Sequence, residues 1–203
     1  MSRKHASAVS ALFVAGVIFA VLFLSGCKKP ESKTAEPTGQ AATQTAPSGK
    51  SEAGPGLEVK SHIQQGLAYV STAKNARDRA VFEENLENAI KEFSLAIQQD
   101  PKYADAYSNR AVAYMQQRKF NKAQEDLKRA KELSPESATI RYNLASLYSL
   151  KGDVDLGLDE LDAALAKGFD KYDALRNDPD IGNLRNHREY KRILEKHKVF
   201  ITN

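Results

Sequence analysis

Polar and apolar positions divide the chain into three stretches. Residues 6–24 carry no charge and are mostly Ala, Val, Leu, Ile and Phe. Residues 28–56 are rich in Lys, Glu, Pro, Gly, Ser, Thr, Ala and Gln. From Leu57 onward apolar residues recur at helical spacing, which predicts helices near 58–75, 84–99, 104–117, 120–133, 138–150 and 154–167. Between the first two, Arg77–Glu84 holds Arg77, Asp78, Arg79, Glu83 and Glu84, and reads as a longer turn or an irregular helix extension.

A 34-residue step runs through the helical part. It relates Ala89, Ala123 and Gly157, then Phe93, Leu127 and Leu161, then Ala96, Ala130 and Ala164. Pro101 and Pro135 end the first two units, because a proline inside a helix loses a hydrogen bond and clashes with the preceding turn. Antiparallel helices cross closely only where side chains are small, and the Ala and Gly positions supply those crossings. No single unit can bury its own apolar face, so a fixed period of this size marks hairpins stacked on one another.

The middle unit has Tyr107, Arg110-Ala111 and Tyr114, followed by Ala123, Leu127 and Pro135. This spacing resembles the Trp-x-x-Leu-Gly-x-x-Tyr pattern and second half of the tetratricopeptide repeat. The next unit has Arg141, Leu144-Ala145, Tyr148, Gly157 and Leu161, with Phe169 in place of the proline. The first keeps Ala89, Phe93 and Pro101, but its Gly66 and Tyr69 stand 11 residues too early. The resemblance covers about Leu57–Lys167. It implies an all-α fold, a short solenoid of about three helical hairpins. The stretch from Gly168 to Leu194 resembles the tail that closes many proteins of this family. Within it Gly168 suits a helix C-terminus, Asp178-Pro179 a helix start, and Tyr190, Ile193 and Leu194 an apolar stripe.

The N-terminal stretch has an order of its own. Arg3 and Lys4 precede the apolar run, and Leu24-Ser25-Gly26-Cys27 ends it. This resembles a bacterial lipoprotein signal peptide with its lipobox, in which the Cys is acylated after cleavage. An uncleaved transmembrane anchor and a plain secretory signal are the alternatives. Cys27 is the sole cysteine, so it has no internal disulfide partner. The expected organisation is a signal peptide over 1–26, a lipidated Cys27 and flexible linker over 27–56, repeats over 57–167 and a helical cap over 168–203. About 29 linker residues reach roughly 30 Å. Lys28 follows the Cys where Asp would be the inner-membrane retention signal of enteric bacteria. The resemblance thus implies the periplasmic face of an outer membrane in a Gram-negative host.

Charge and chemistry narrow the function. The formal charge is +4, and loss of Arg3 and Lys4 with the signal lowers it by two. That is too little for a nucleic-acid surface, so no nucleic-acid partner is expected. His5, His62, His187 and His197 are scattered, and no metal-site, nucleotide-loop or hydrolase motif occurs. No catalytic residue, metal or cofactor is assigned. Asp178 and Asp180 read as a helix cap and a surface charge.

In tetratricopeptide repeats the first helix of each unit lines a concave groove. By that resemblance the groove positions are Ile63, Leu67, Val70, Asp105, Ser108, Asn109, Val112, Met115, Gln116, Thr139, Tyr142, Ser146, Ser149 and Leu150. Tyr107–Ala111 also looks like the middle repeat of heat-shock cochaperones, which clamp a peptide carboxylate with Lys, Asn and Arg. Only Asn109 matches that clamp. Ile63, Leu67, Thr139 and Asn143 replace the other members, so the clamp is absent. The chain is expected to be a membrane-anchored scaffold whose groove takes a peptide through apolar anchors. The rival expectation is a structural module whose groove is filled by its own C-terminal helices.

Overall fold

The computed structural model describes residues 55–200. The signal peptide, Cys27 and almost all of the linker lie outside them. The described part is all α-helical. Three antiparallel hairpins follow one another: α1 (Leu57–Asn75) with α2 (Arg79–Gln99), α3 (Ala104–Gln116) with α4 (Phe120–Leu133), and α5 (Ala138–Lys151) with α6 (Val154–Ala166). The C-terminal region adds α7 (Tyr172–Asn177), a 3-10 turn (Pro179–Ile181), α8 (Gly182–Arg185) and α9 (Arg188–Lys196).

The 34-residue step is the core. Phe93, Leu127 and Leu161 are wholly buried, as are Ala96, Ala130 and Ala164. Each sits in the apolar cluster of its own hairpin. The crossings depend on missing side-chain volume. A β-carbon placed on Gly66 would overlap Cε1 of the Phe93 ring, so α1 and α2 meet where α1 has no side chain. Ala111 does the same for the second hairpin and is fully buried.

The first hairpin departs from the expected boundaries, and the reason is a cap. Asp78 accepts hydrogen bonds from the backbone N–H groups of Ala80 (2.7 Å) and Val81 (3.3 Å), which starts α2 at Arg79 rather than Glu84. Arg79 and Glu83 then pair across one turn. Five residues separate Ala111 from the end of α3, but nine separate Gly66 from the end of α1. Three separate the start of α4 from Ala123, but ten separate the start of α2 from Ala89. The 11-residue displacement of Gly66 is therefore an extension of both arms of one hairpin, with no long loop between them.

The last hairpin is covered by the tail. Gly168 adopts φ +84°, and the N–H of Phe169 reaches back to the carbonyl of Ala164 (3.0 Å), which turns the chain into the core. Phe169, which stands where the other units have proline, stacks on Tyr142 with ring centroids 4.2 Å apart and planes within 8°. Leu175, Ile181, Leu184, Tyr190, Ile193 and Leu194 join the same cluster. A β-carbon on Gly157 would come within 2.6 Å of Leu184 Cδ2, so α8 packs closely on α6 there. Asp162 on α6 latches α9 through Lys196 (2.7 Å) and His197 (2.7 Å). The tail is thus a cap on the array.

Replacing Ala111 by Phe should overpack the α3–α4 crossing and cost about 1–3 kcal/mol. Urea denaturation of the variant would read this as a lower midpoint, and an unchanged midpoint would contradict the placement.

Candidate functional site

One face of the array is built by α1, α3 and α5, which neighbour one another, and its geometry starts with what holds α3. Arg110, standing where the repeat pattern has leucine, grips Asp126 of α4 with two parallel bonds, Nε to Oδ2 (2.8 Å) and Nη2 to Oδ1 (2.7 Å). Its Nη1 donates to Ser94 Oγ of α2 (3.0 Å), so one guanidinium ties three helices. The rings of Tyr107 and Tyr114 lie 5.8 and 6.0 Å from its carbon. The bonds to Asp126 hold Arg110 above its ordinary pKa although burial opposes them. From α5, Asn143 Nδ2 donates to Ser108 Oγ (3.0 Å), which joins the two groove helices side by side.

Between these helices and the tail lies a cleft of about 800 Å³. Val112, Met115 and Gln116 of α3 and Tyr142, Asn143 and Ser146 of α5 form its floor. One wall is Lys74 and Phe82, the extension of the first hairpin. The opposite wall is Asp173, Ala174 and Asn177–Asp180 of the tail. Tyr142 joins floor to wall, because its hydroxyl donates to Asp178 Oδ2 (2.7 Å). Asp178 Oδ1 in turn accepts from the Asp180 N–H (2.9 Å), so Asp178 caps the 3-10 turn. Arg185 donates to the carbonyls of Arg176 and Asp178 and fixes this turn from behind.

Electrostatics set the wall apart. Burial, and then the bond to Asp178, push the Tyr142 hydroxyl well above the ordinary tyrosine range, so it stays a donor. Burial also raises the Asp180 carboxyl, the Asp178 charge adds to this, and Lys74 partly offsets it. Asp180 was expected to be a surface charge, but it is partly buried in the cleft wall.

The expected groove residues separate into groups. Val112, Met115, Gln116, Tyr142 and Ser146 are brought together in the cleft. Ile63 and Val70 are buried in the core of the first hairpin instead. Leu67 is exposed away from the cleft, and Asp105 and Thr139 are exposed at the starts of their helices. Ser108 is buried under its bond from Asn143, and Asn109 is partly buried outside the cleft. Ser149 is buried, and its carbonyl accepts from Asn183 of the tail (2.7 Å). Leu150 packs against the core of the second hairpin. The sequence reading missed Lys74, Phe82, Asn143 and the tail residues as cleft residues. Asp78 as a cap, three residues ahead of the apolar Val81-Phe82, is the signal that could have placed Phe82 on a helix. Among the described residues no group of three His, Cys, Asp or Glu side chains is arranged to hold a metal. No described helix is long and apolar enough to cross a membrane.

Comparison with known proteins agrees with this geometry. The tetratricopeptide repeat family matches residues 104–137, which are α3, α4 and the turn after them. A second repeat description matches residues 83–118, across α2 and α3. The chain carries tetratricopeptide repeats. A thermophilic tetratricopeptide repeat protein of Thermus thermophilus is similar to it, with 26% identity and a TM-score of 0.55 over 68% of this chain and 64% of that one. A chloroplastic protein of Arabidopsis thaliana is 35% identical over 63 residues, 30% of this chain. The matched stretch spans only 19% of that protein's length. The repeat frame explains the hairpins, while the long first hairpin and the tail supply both walls of the cleft.

The charges lead to two expected outcomes. Asp126→Ala leaves a largely buried guanidinium unpaired and should cost about 3 kcal/mol, whereas Arg110→Leu combined with Asp126→Leu should recover most of it. Denaturant midpoints of the two variants test this. The raised Asp180 pKa means that the folded protein holds this proton more tightly than the unfolded chain. Its favourable contribution is present in acid and is lost as pH rises through the folded value. Asp180→Asn should therefore raise the melting temperature at pH 7, and the gain should fade as pH falls toward the ordinary carboxylate range. A gain that grew in acid would contradict it.

Proposed function

We propose that this protein is a lipid-anchored scaffold of the bacterial envelope that docks a peptide segment of another protein in the cleft between α3, α5 and the tail. The observation that carries the reading is the cleft itself. Its volume of about 800 Å³ lies within the range of roughly 300–1,000 Å³ typical of binding sites. Apolar and aromatic side chains meet a few polar groups there, and the turn that forms one wall is held by Tyr142 and Arg185. A rigid wall lowers the ordering cost of binding. The lipobox-like Leu24–Cys27 supports the anchor and, with Lys28, the periplasmic face of an outer membrane. Single-pass anchoring through residues 6–24 is the alternative attachment.

A second reading has one observation in its favour. The tail covers part of the α5 face, through Asp178 on Tyr142 and Asn183 on Ser149. This is partial filling, and the cleft beside it stays open. Cutting the tail away is a poor test, because Phe169 and Leu184 belong to the core of the last hairpin.

The docking reading is tested with the intact chain. Crosslinking in envelopes identifies partners, and Phe82→Ala with Val112→Ala should weaken capture about tenfold, since apolar anchors dominate such interfaces. These two side chains line the cleft without holding the tail. Unchanged capture would refute docking there. A fatty-acid analogue should label the wild type and leave Cys27→Ser unlabelled.

A further inference from the structure

From the charge of the walls, and resting on the docking reading above, we infer that the cleft's occupant is an extended peptide segment with a Lys or Arg next to an apolar residue. The cation would sit against Asp180 and Asp178, and the apolar side chain on Phe82, Val112 and Met115.

Three carboxylates and one ammonium line this cleft, Asp173, Asp178 and Asp180 against Lys74. They are not equivalent. Asp178 has one oxygen bonded to the Tyr142 hydroxyl and the other to a backbone N–H. Asp173 is exposed at the rim and lies 3.8 Å from Arg176. Asp180 differs from both. Among the described residues it makes no ion pair, and the more distant Lys74 charge only partly offsets its burial beside a second carboxylate. Two like charges in a partly desolvated wall repel each other, and a bound cation would relieve that repulsion.

The floor and the other wall supply the second half of the recognition. Phe82, Val112 and Met115 offer apolar surface across from the acids, and Gln116 adds a buried Oε1 with no hydrogen-bond partner. An anionic occupant fits poorly, since the one lining cation, Lys74, stands on the extended arm of α1, across from the tail carboxylates. Charge complementarity of this kind selects the partner and steers its approach. It is also the opposite polarity to a clamp for a peptide carboxylate, whose Lys and Arg are replaced here by Ile63, Thr139 and Asn143.

The test uses the full chain in detergent and arrays of amidated hexapeptides with random flanks. Every peptide carries a central Leu followed by Lys or Arg in one set, Glu in a second and Ser in a third. The Lys/Arg set should bind about tenfold more strongly than the Glu set, the effect of one charged hydrogen bond. Asp180→Asn should remove most of that preference, and Lys74→Gln should strengthen it. Asp180→Asn is expected to stabilise the fold, so a melting curve separates lost binding from lost structure. Equal binding of all three sets, or preference for Glu, overturns the inference. If such binding is still lost in Phe82→Ala with Val112→Ala, the docking reading survives alone. Binding of no set, or binding indifferent to both sets of substitutions, overturns the two together.

Discussion

Each hairpin of this protein depends on a crossing at which one helix carries almost no side chain. Gly66 lies against the Phe93 ring, and a single added carbon would overlap it. Ala111 and Ala145 are fully buried in the corresponding places. At Gly157 the space is taken by Leu184 of the cap and the carbonyl of Ala145. Interiors pack near crystal density, so such a contact leaves little freedom in how the helices meet. Once those crossings are set, Phe93, Leu127 and Leu161 fill each hairpin and the next one can stack.

The cleft comes from the places where this regularity is interrupted. A plain array would leave the face of α1, α3 and α5 open. Here the elongated first hairpin carries Lys74 and Phe82 over it from one side. On the other side Phe169 replaces a proline, stacks on Tyr142, and brings the tail back to the same face. Asp178 then has two roles, as cap of the 3-10 turn and acceptor for Tyr142. Departures from a regular pattern that are supported by their surroundings are where function is expected. The Arg110–Asp126–Ser94 contact gives the floor its stiffness, because it fixes α3 against both neighbours.

The repeat frame and the cap were legible because both are local in kind. Helical periodicity, a constant step and proline or glycine at helix ends need no knowledge of distant contacts. Gly168 and Asp178 took the roles that their residue types suggest. Of the two readings of Arg77–Glu84, a longer turn or a helix extension, the structure takes the extension from Arg79 onward, because Asp78 is a strong cap ahead of it. The groove was legible only in its α3 and α5 parts. Val112, Met115, Gln116, Tyr142 and Ser146 keep the expected face because their helices sit in regular repeats. Ile63 and Val70 are buried in the core of the first hairpin instead, because the 11-residue offset leaves the face of α1 almost unrotated but moves it about 16 Å along the helix, away from the cleft. Asp180 looked like a surface charge because nothing within its own segment buries it.

The sequence alone determined the all-α repeat, its period, its crossings and its closure, because spacing along one helix decides which residues share a face. It also carried the lipobox-like signature at Cys27, which lies outside the described residues. The tertiary structure alone decided that Lys74 and Phe82 face Asp178 and Asp180 across one cleft. Those pairs lie about a hundred residues apart, and their meeting depends on how far a hairpin extends and where a tail returns. The first is marked locally by the Gly66 offset and the Asp78 cap, but the return of the tail is an outcome of packing, summed over many contacts, which no local pattern encodes.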